Sequence, residues 1–156
     1  MKIKQSNTHY CFVCGLDNPR GLALRFESDG AGKTFTRTTF SSDFQGYPGI
    51  VHGGILSTVL DEVGGRASMK QMRPEVVLVT GKLTVHFRKP VKVGQPVVIE
   101  GEVVKEYGRV VETKATIRSE SGDLLVEAEI VLVQPGATLI NEIEPADDQW
   151  IDPIEE

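Results

Sequence analysis

The chain has 156 residues, a length that suits a single domain with one hydrophobic core. Hydrophobic residues make up 40% of it and charged residues 25%, and these values exclude a disordered or collagen-like chain. The longest apolar run, residues 76–79, is far too short to span a bilayer, and the N-terminus lacks the apolar core of a secretory signal. With only two cysteines, we expect a cytoplasmic protein without a disulfide framework. Because no apolar run could span a bilayer, we also expect no membrane partner.

The formal net charge of −5 is unevenly distributed along the chain. Seven of the 22 acidic residues lie in residues 135–156, which contain no lysine or arginine, so the rest of the chain has a net charge of +2. A charge of +2 is too small for a nucleic-acid-binding surface. We therefore predict one domain at residues 1–134, followed at residues 135–156 by an acidic, flexible C-terminal tail.

The N-terminal half of the chain is predicted to contain two strands and one long helix. Residues 1–21 are rich in turn formers, and the residues that follow predict strands at 22–27 and 33–40. After a loop, the apolar period changes to that of a helix, which we predict from Gly53 to about Met69. Its apolar stripe consists of Ile55, Leu56, Val59, Leu60, Val63 and Ala67.

The chain after the helix is predicted to be β-structure throughout. Strands are predicted at residues 76–88, 96–105, 110–119 and 124–133. The last three are expected to form a meander of antiparallel hairpins, because the gaps between them are too short for crossover helices. One apolar helix against one antiparallel sheet predicts an α+β fold.

Two glycines and two carboxylates mark the predicted helix as a candidate site. Gly53 and Gly54 leave the first N–H groups of the helix unblocked, and such donors at the positive end of a helix suit a developing oxyanion. The two glycines alone fit a tight turn equally well. Asp61 lies mid-helix among apolar residues, an unfavourable place for a carboxylate unless it has a function or a basic neighbour. Glu62 points about 100° further round the helix and is expected to be the solvated member of the pair.

Three motifs resemble the hotdog-fold acyl-CoA thioesterases of the PaaI-like type. The first is the run His52, Gly53, Gly54 with an acid nine residues after the histidine. The second, CFVCG at residues 11–15 with NPRGL at residues 18–22, is similar to a subset that includes the human thioesterase-superfamily members. The third is the strand after the helix, residues 80–85 and 88–91. The resemblance covers about residues 9–134, and it implies a hotdog fold, in which an antiparallel sheet wraps around one long central helix, without a cofactor.

The resemblance also implies a role for each matching residue. Asp61 would be the catalytic carboxylate, as a general base or a nucleophile, and the Gly53 N–H would hold the thioester carbonyl, with Gly54 close behind. His52 would shape the loop, and Thr80 would position water. The residues expected to contact the acyl-CoA substrate are Gly81, Arg88, Lys89 and Pro90, and the two basic side chains could meet its phosphates, although such pairs are usually solvated.

The spacing of Gly53 and Asp61 implies more than one subunit. The two residues are eight positions apart, about 12 Å along a helix axis, so they cannot both reach one carbonyl carbon. If both serve one reaction, they must come from different subunits. We therefore expect a homodimer with two shared sites, which is also what the family has, with a dimer of dimers as the larger alternative.

The expected function is hydrolysis of an acyl-CoA to a free acid and CoA, and two alternatives stay open. One is a hotdog dehydratase or hydratase that uses His52 with an acid, and the other is a binding module for acyl-CoA without turnover. His9, Cys11 and Cys14 provide only half of a zinc site, so the sequence favours a turn with buried thiols over a metal. A metal site completed across a dimer stays open as an alternative. His86 is expected to be a surface residue, and Trp150 could anchor the tail.

Overall fold

The computed structural model describes residues 1–143 and 149–154. It contains nine strands, two helices and one short 3-10 turn within those residues. The strands are β1 Ile3–Lys4, β2 Asn7–Thr8, β3 Glu27–Ser28, β4 Lys33–Thr39, β5 Val79–Phe87, β6 Pro96–Tyr107, β7 Val110–Ser119, β8 Leu124–Val133 and β9 Trp150–Ile151. The helices are α1 Gly53–Ala67 and α2 Ala137–Ile143, and the 3-10 turn is Ser42–Phe44. In the described part of the chain, neither helix is long and apolar enough to cross a membrane.

Seven of the strands form one antiparallel sheet in the order β1-β3-β4-β6-β7-β8-β5. Strands β6, β7 and β8 form the predicted meander, while β5 pairs with β8 at the far side. As a result, β5 is one edge of the sheet, and the two-residue strand β1 is the other. A separate ladder pairs β2 with β9.

Helix α1 packs on one face of this sheet and buries its apolar stripe there. Val59, Leu60 and Val63 are fully buried in the single core. The helix lies unusually close to β6, because a Cβ added at Gly101 would lie only 2.3 Å from the backbone oxygen of Val63. A larger residue at Gly101 would therefore push α1 off the sheet. The predicted α+β fold, with an antiparallel sheet around one central helix, is confirmed.

The predicted strand at residues 22–27 is wrong, because only Glu27–Ser28 pairs as a strand. Ala23 has a positive φ of 49°, which interrupts an extended strand, and the N–H groups of its two neighbours donate to a loop instead of a ladder. The N–H of Leu22 donates to the oxygen of Phe12 at 2.8 Å, and the N–H of Leu24 donates to Val13 at 2.9 Å. The alternation predicted burial correctly, since Leu24 is buried, but it could not show what the backbone would pair with.

The other predicted elements differ from the structure only at their ends, whereas β1, β2, α2 and β9 were not predicted. Helix α1 ends at Ala67 rather than Met69, because the Ser68 hydroxyl donates to the oxygen of Gly65 at 2.6 Å and closes the last turn. Strand β6 extends two residues further than predicted, to Tyr107, and β5 begins three residues later, at Val79. Strands β7 and β8 have the predicted bounds.

The predicted tail, residues 135–156, falls in part on residues 144–148 and 155–156, which lie outside the described residues. Of the described part, β9 pairs with β2. Asp152 accepts a hydrogen bond from the Ser6 hydroxyl at 2.6 Å and forms an ion pair with Arg73 at 2.7 Å. The segment that contains Trp150 is therefore attached to the N-terminus, and the domain boundary at 134 stays a prediction.

Candidate active site

The first turn of α1 is organised by His52, which is its N-cap residue. The Nδ1 atom of His52 accepts a hydrogen bond from the Gly54 N–H at 2.9 Å. The carbonyl oxygen of His52 accepts from the N–H groups of Ile55 and Leu56 at 3.0 and 3.2 Å. Among the hydrogen bonds of the described residues, none is donated by the N–H of Gly53. This first helical N–H is therefore the one available to a ligand, whereas the Gly54 N–H is used by His52.

Both glycines also have a packing reason to be small. A Cβ at Gly54 would lie 3.0 Å from Nδ1 of His52, and a Cβ at Gly53 would lie 3.3 Å from Cζ of Phe87. Phe87 is the last residue of β5, and 54% of its surface is exposed. A tight turn and an open N–H thus occur together at Gly53, so the two alternatives offered by the sequence are compatible.

The loop before α1 fixes the position of His52 through its backbone. The His52 N–H donates to the oxygen of Phe44 at 2.9 Å, and the Gly46 N–H donates to Ile50 at 2.8 Å. The Val51 N–H donates to the oxygen of Val91 at 2.9 Å, which ties the loop to the segment after β5. These backbone bonds, within the loop and to Val91, hold the N-cap residue against the start of the helix.

Asp61 is half-buried on the side of α1 that faces β5. Its Oδ1 accepts a hydrogen bond of 2.7 Å from the hydroxyl of Thr80, so the structure brings these two predicted residues together. Burial raises the pKa of the Asp61 carboxyl above its ordinary value, and the charge of Glu62 raises it further, while the bond from Thr80 acts in the opposite direction. A raised pKa makes the carboxylate a stronger base.

The two halves of the predicted site lie at different ends of one helix. Gly53 and Asp61 are separated by about 12 Å along α1. Strand β5 runs beside both, because Thr80 near its first residue contacts Asp61 and Phe87 at its end lies over Gly53. Within one chain, the structure therefore does not bring the open N–H and the carboxylate together.

The predicted substrate-contact residues lie on β5 or directly after it. Gly81 stands at a β-bulge between Thr80 and Lys82, where a Cβ would lie 3.1 Å from the side chain of Val133. Three exposed residues follow the strand at the end that lies near Gly53, and the two basic ones lie close to acidic side chains. Arg88 pairs with Glu127 at 2.9 Å, Lys89 lies 3.8 Å from Asp123, and Pro90 is exposed.

Glu62 was expected to be solvated, and this expectation is wrong. It is largely buried, and its Oε1 accepts a hydrogen bond of 2.7 Å from Nε of Arg66, whose side chain is 5% exposed. Burial raises the pKa of Glu62, and Arg66 opposes this shift by stabilising the ionised form. Glu62 is buried because the turn that contains Cys11 covers the face of α1 on which Glu62 lies. The four-residue spacing of Glu62 and Arg66 in the sequence was the signal for this pair.

Comparison with known proteins identifies the relatives of this chain. A family model described as the thioesterase superfamily matches residues 48–126. Acyl-coenzyme A thioesterase THEM4 of Xenopus laevis is 33% identical over 81 residues, which cover 52% of this chain and 35% of the frog protein. The chain thus spans about a third of the length of that curated relative.

Solved structures share the fold. A thioesterase superfamily protein has a TM-score of 0.72 at 26% identity, with 80% of this chain and 63% of that chain covered. A Streptococcus mutans protein solved with bound acetyl CoA has a TM-score of 0.65 at 20% identity, with 72% and 89% covered. The hotdog fold expected from the sequence is therefore confirmed.

Proposed function

Because the chain belongs to the thioesterase superfamily, we propose that it is an acyl-coenzyme A thioesterase that releases a free acid and coenzyme A. The observation that carries the proposal is the pairing of the half-buried Asp61 with Thr80, on the same helix that begins with an open Gly53 N–H. The frog relative is named an acyl-coenzyme A thioesterase, and the Streptococcus mutans neighbour binds acetyl CoA. Both names agree with a thioester substrate.

In the proposed reaction, Asp61 acts as a general base. Thr80 donates to Oδ1, so Oδ2 is left to accept a proton from water while the water oxygen attacks the thioester carbon. The Gly53 N–H donates to the carbonyl oxygen as it becomes an oxyanion, and the positive end of α1 stabilises the charge. The intermediate collapses by breaking the carbon–sulfur bond, and Asp61 returns the proton to the departing sulfur, so coenzyme A leaves as the thiol. Trapping of an acylated Asp61 by hydroxylamine would show nucleophilic attack instead.

Strand β5 supports a dimer that completes this site. It is nine residues long and pairs with β8 on one side, and no other strand among the described residues pairs with it. A long unpaired edge is a ready template for a second strand. If two β5 strands pair antiparallel around a two-fold axis, the Thr80 end of one meets the Phe87 end of the other. Asp61 would then lie beside Gly53 of the partner subunit.

The activity is tested by hydrolysis of a chain-length series of acyl-CoA thioesters, with a thiol-trapping reagent as the readout. We expect Asp61→Asn to lower kcat by about 100-fold to 10,000-fold with little change in dimerisation. Asp43→Asn, an exposed carboxylate in the 3-10 turn, is the matched control and should be as active as the wild type. Binding without thiol release, or hydration of an unsaturated thioester with the thioester intact, would contradict the proposal.

The shared site is tested by a mixed dimer of two inactive chains. Asp61→Asn is combined with Gly53→Pro, which deletes the N–H. If the sites are shared, one of the two sites in the mixed dimer is intact, and up to about half of the activity returns. If the mixed dimer forms but stays inactive, both groups act within one subunit.

A further inference from the structure

A second cluster of reactive side chains lies on α1, next to the candidate active site but on another face. One ligand atom from each of Cys11, Cys14 and Glu62 lies within 4.8 Å of the others. The Cys11 Sγ is 3.9 Å from Oε2 of Glu62. The cluster forms where the N-terminal turn packs on the central helix, and the proposed hydrolysis makes no use of it.

The turn that carries the two cysteines directs hydrogen-bond donors at both sulfurs. The Cys14 N–H points at the Sγ of Cys11 at 3.5 Å. The Thr8 hydroxyl lies 3.5 Å from the Sγ of Cys14 and accepts from the Cys11 N–H at 3.1 Å, so its own proton is free for that sulfur. A Cβ at Gly15 would lie 2.3 Å from the oxygen of Cys11, which shows how tightly the turn closes. Donors in these positions stabilise thiolates.

The carboxylate of Glu62 has one oxygen left for a ligand. Arg66 donates to Oε1 at 2.7 Å, whereas Oε2 faces the Sγ of Cys11. Arg66 is itself held in place, because its Nη1 donates to the oxygen of Ser6 at 3.1 Å and its guanidinium lies 4.5 Å from the ring centre of Phe26. Glu62 is therefore oriented toward the two thiols by a fixed partner.

The charges of the cluster match a divalent cation. Two thiolates and one carboxylate carry three negative charges, and the buried guanidinium of Arg66 provides one positive charge. A dication brings the total to zero, so the site would hold it without leaving a net buried charge. Two sulfurs and one oxygen are a donor set that suits Zn²⁺.

We propose that Cys11, Cys14 and Glu62 bind one Zn²⁺ per chain, with the fourth position open to water. Bond lengths of about 2.3 Å to sulfur and 2.1 Å to oxygen place tetrahedral ligand atoms about 3.6–3.8 Å apart. The 3.9 Å between Cys11 and Glu62 is already close to that separation. The bound ion would link the N-terminal turn to α1 one residue after Asp61. This inference does not rest on the proposed thioesterase activity.

Cobalt titration of the full-length reduced protein tests the site after treatment with a chelator. We expect one Co²⁺ per chain, a near-ultraviolet sulfur-to-cobalt charge-transfer band, tetrahedral visible bands, and displacement by Zn²⁺. Cys11→Ser and Cys14→Ser should each weaken binding by at least about 100-fold, and Glu62→Gln by about 10-fold or more. The matched control for Glu62 is Asp61→Asn, the adjacent carboxylate, which should bind Co²⁺ like the wild type.

A thiol count on the wild-type protein keeps the test independent of how the variants fold. With Zn²⁺ present, both thiols should react slowly with a thiol reagent, and they should become reactive when a chelator is added. The proposal is overturned if the reduced wild type gives no charge-transfer band, or if all variants bind Co²⁺ equally well. It is also overturned if zinc leaves the thiol reactivity unchanged.

Discussion

Replacement of Gly53 by proline removes the one N–H that the first turn of α1 leaves open. The substitution suits the backbone, because proline is favoured at the first helical position, where its missing N–H has no partner within the helix. His52 is already extended, with φ −60° and ψ 132°, which is the conformation that a residue before proline prefers. We therefore expect the variant to fold and to keep its helix.

The expected loss can be separated into an N–H effect and a crowding effect. Loss of one oxyanion donor typically lowers kcat by about 100-fold to 1,000-fold, or about 2.7–4 kcal/mol. Gly53→Ala keeps the N–H but places a Cβ 3.3 Å from Cζ of Phe87. Because the Phe87 ring is half exposed and can shift, we expect this crowding to cost about 1 kcal/mol, or roughly fivefold in rate. Proline should thus be at least about 20-fold slower than alanine.

The assay is thiol release from an acyl-CoA, with kcat and KM determined separately for both variants. The reasoning predicts that kcat separates the two variants and that KM does not, because the oxyanion forms only in the transition state. Circular dichroism and sedimentation would check that both variants fold and assemble. Equal kcat values for folded Gly53→Pro and Gly53→Ala would refute the role of this N–H.

Three further changes test other parts of the structure. Thr80→Val removes the hydrogen bond that favours the ionised form of Asp61, so the pKa of Asp61 should rise. The acidic limb of the plot of kcat against pH should therefore move to higher pH, and an unshifted limb would contradict this. Glu62→Gln removes the negative charge that compensates the buried Arg66. It should lower the free energy of unfolding by about 2–3 kcal/mol, or Tm by roughly 5–10 °C, whereas the exposed Glu120→Gln should change it by less than about 0.5 kcal/mol. Deletion of the predicted acidic tail should keep the fold and activity and lower Tm by only roughly 2–4 °C, since its described residues are held by one short ladder, one exposed ion pair and one partly buried hydrogen bond. Failure of the shortened chain to dimerise would show that the segment docks more firmly.

Most of the fold follows from local patterns in the sequence. The helical period of α1 and the alternation and turns of β6, β7 and β8 predict these elements with small errors at their ends. The strand at residues 22–27 failed because its partner is a loop in the N-terminal turn, and no local pattern encodes that pairing. The pairing of β5 with β8 likewise depends on contacts between strands that are distant in the chain.

The site was predictable only where its residues are neighbours on one helix. His52, Gly53 and Asp61 stand out by spacing, whereas Thr80 was expected at the site only through the resemblance to a family, as a residue that positions water. Its hydrogen bond to Asp61 is seen only in the structure. The pair of Glu62 with Arg66 was signalled by its four-residue spacing, but the contact of Glu62 with Cys11 could not be predicted. Cys11 is 51 residues away in the chain and reaches Glu62 through packing of the N-terminal turn. The cytoplasmic location expected from the cysteine content stays a prediction.

The stability of the Asp61→Asn variant separates a catalytic carboxylate from a structural one. A carboxyl whose pKa is higher in the folded than in the unfolded chain lowers stability as pH rises between those two values, and the loss persists at neutral pH. Asparagine avoids this cost and still accepts the hydrogen bond of Thr80, so Tm at neutral pH should stay equal or rise slightly while kcat falls. At a pH below the ordinary value for aspartate, both proteins carry an uncharged group and the difference in Tm should disappear. A fall in Tm of several degrees at neutral pH would show that Asp61 stabilises the fold, as we predict for Glu62 through its ion pair with Arg66. It would also remove the argument that the burial of Asp61 serves the reaction.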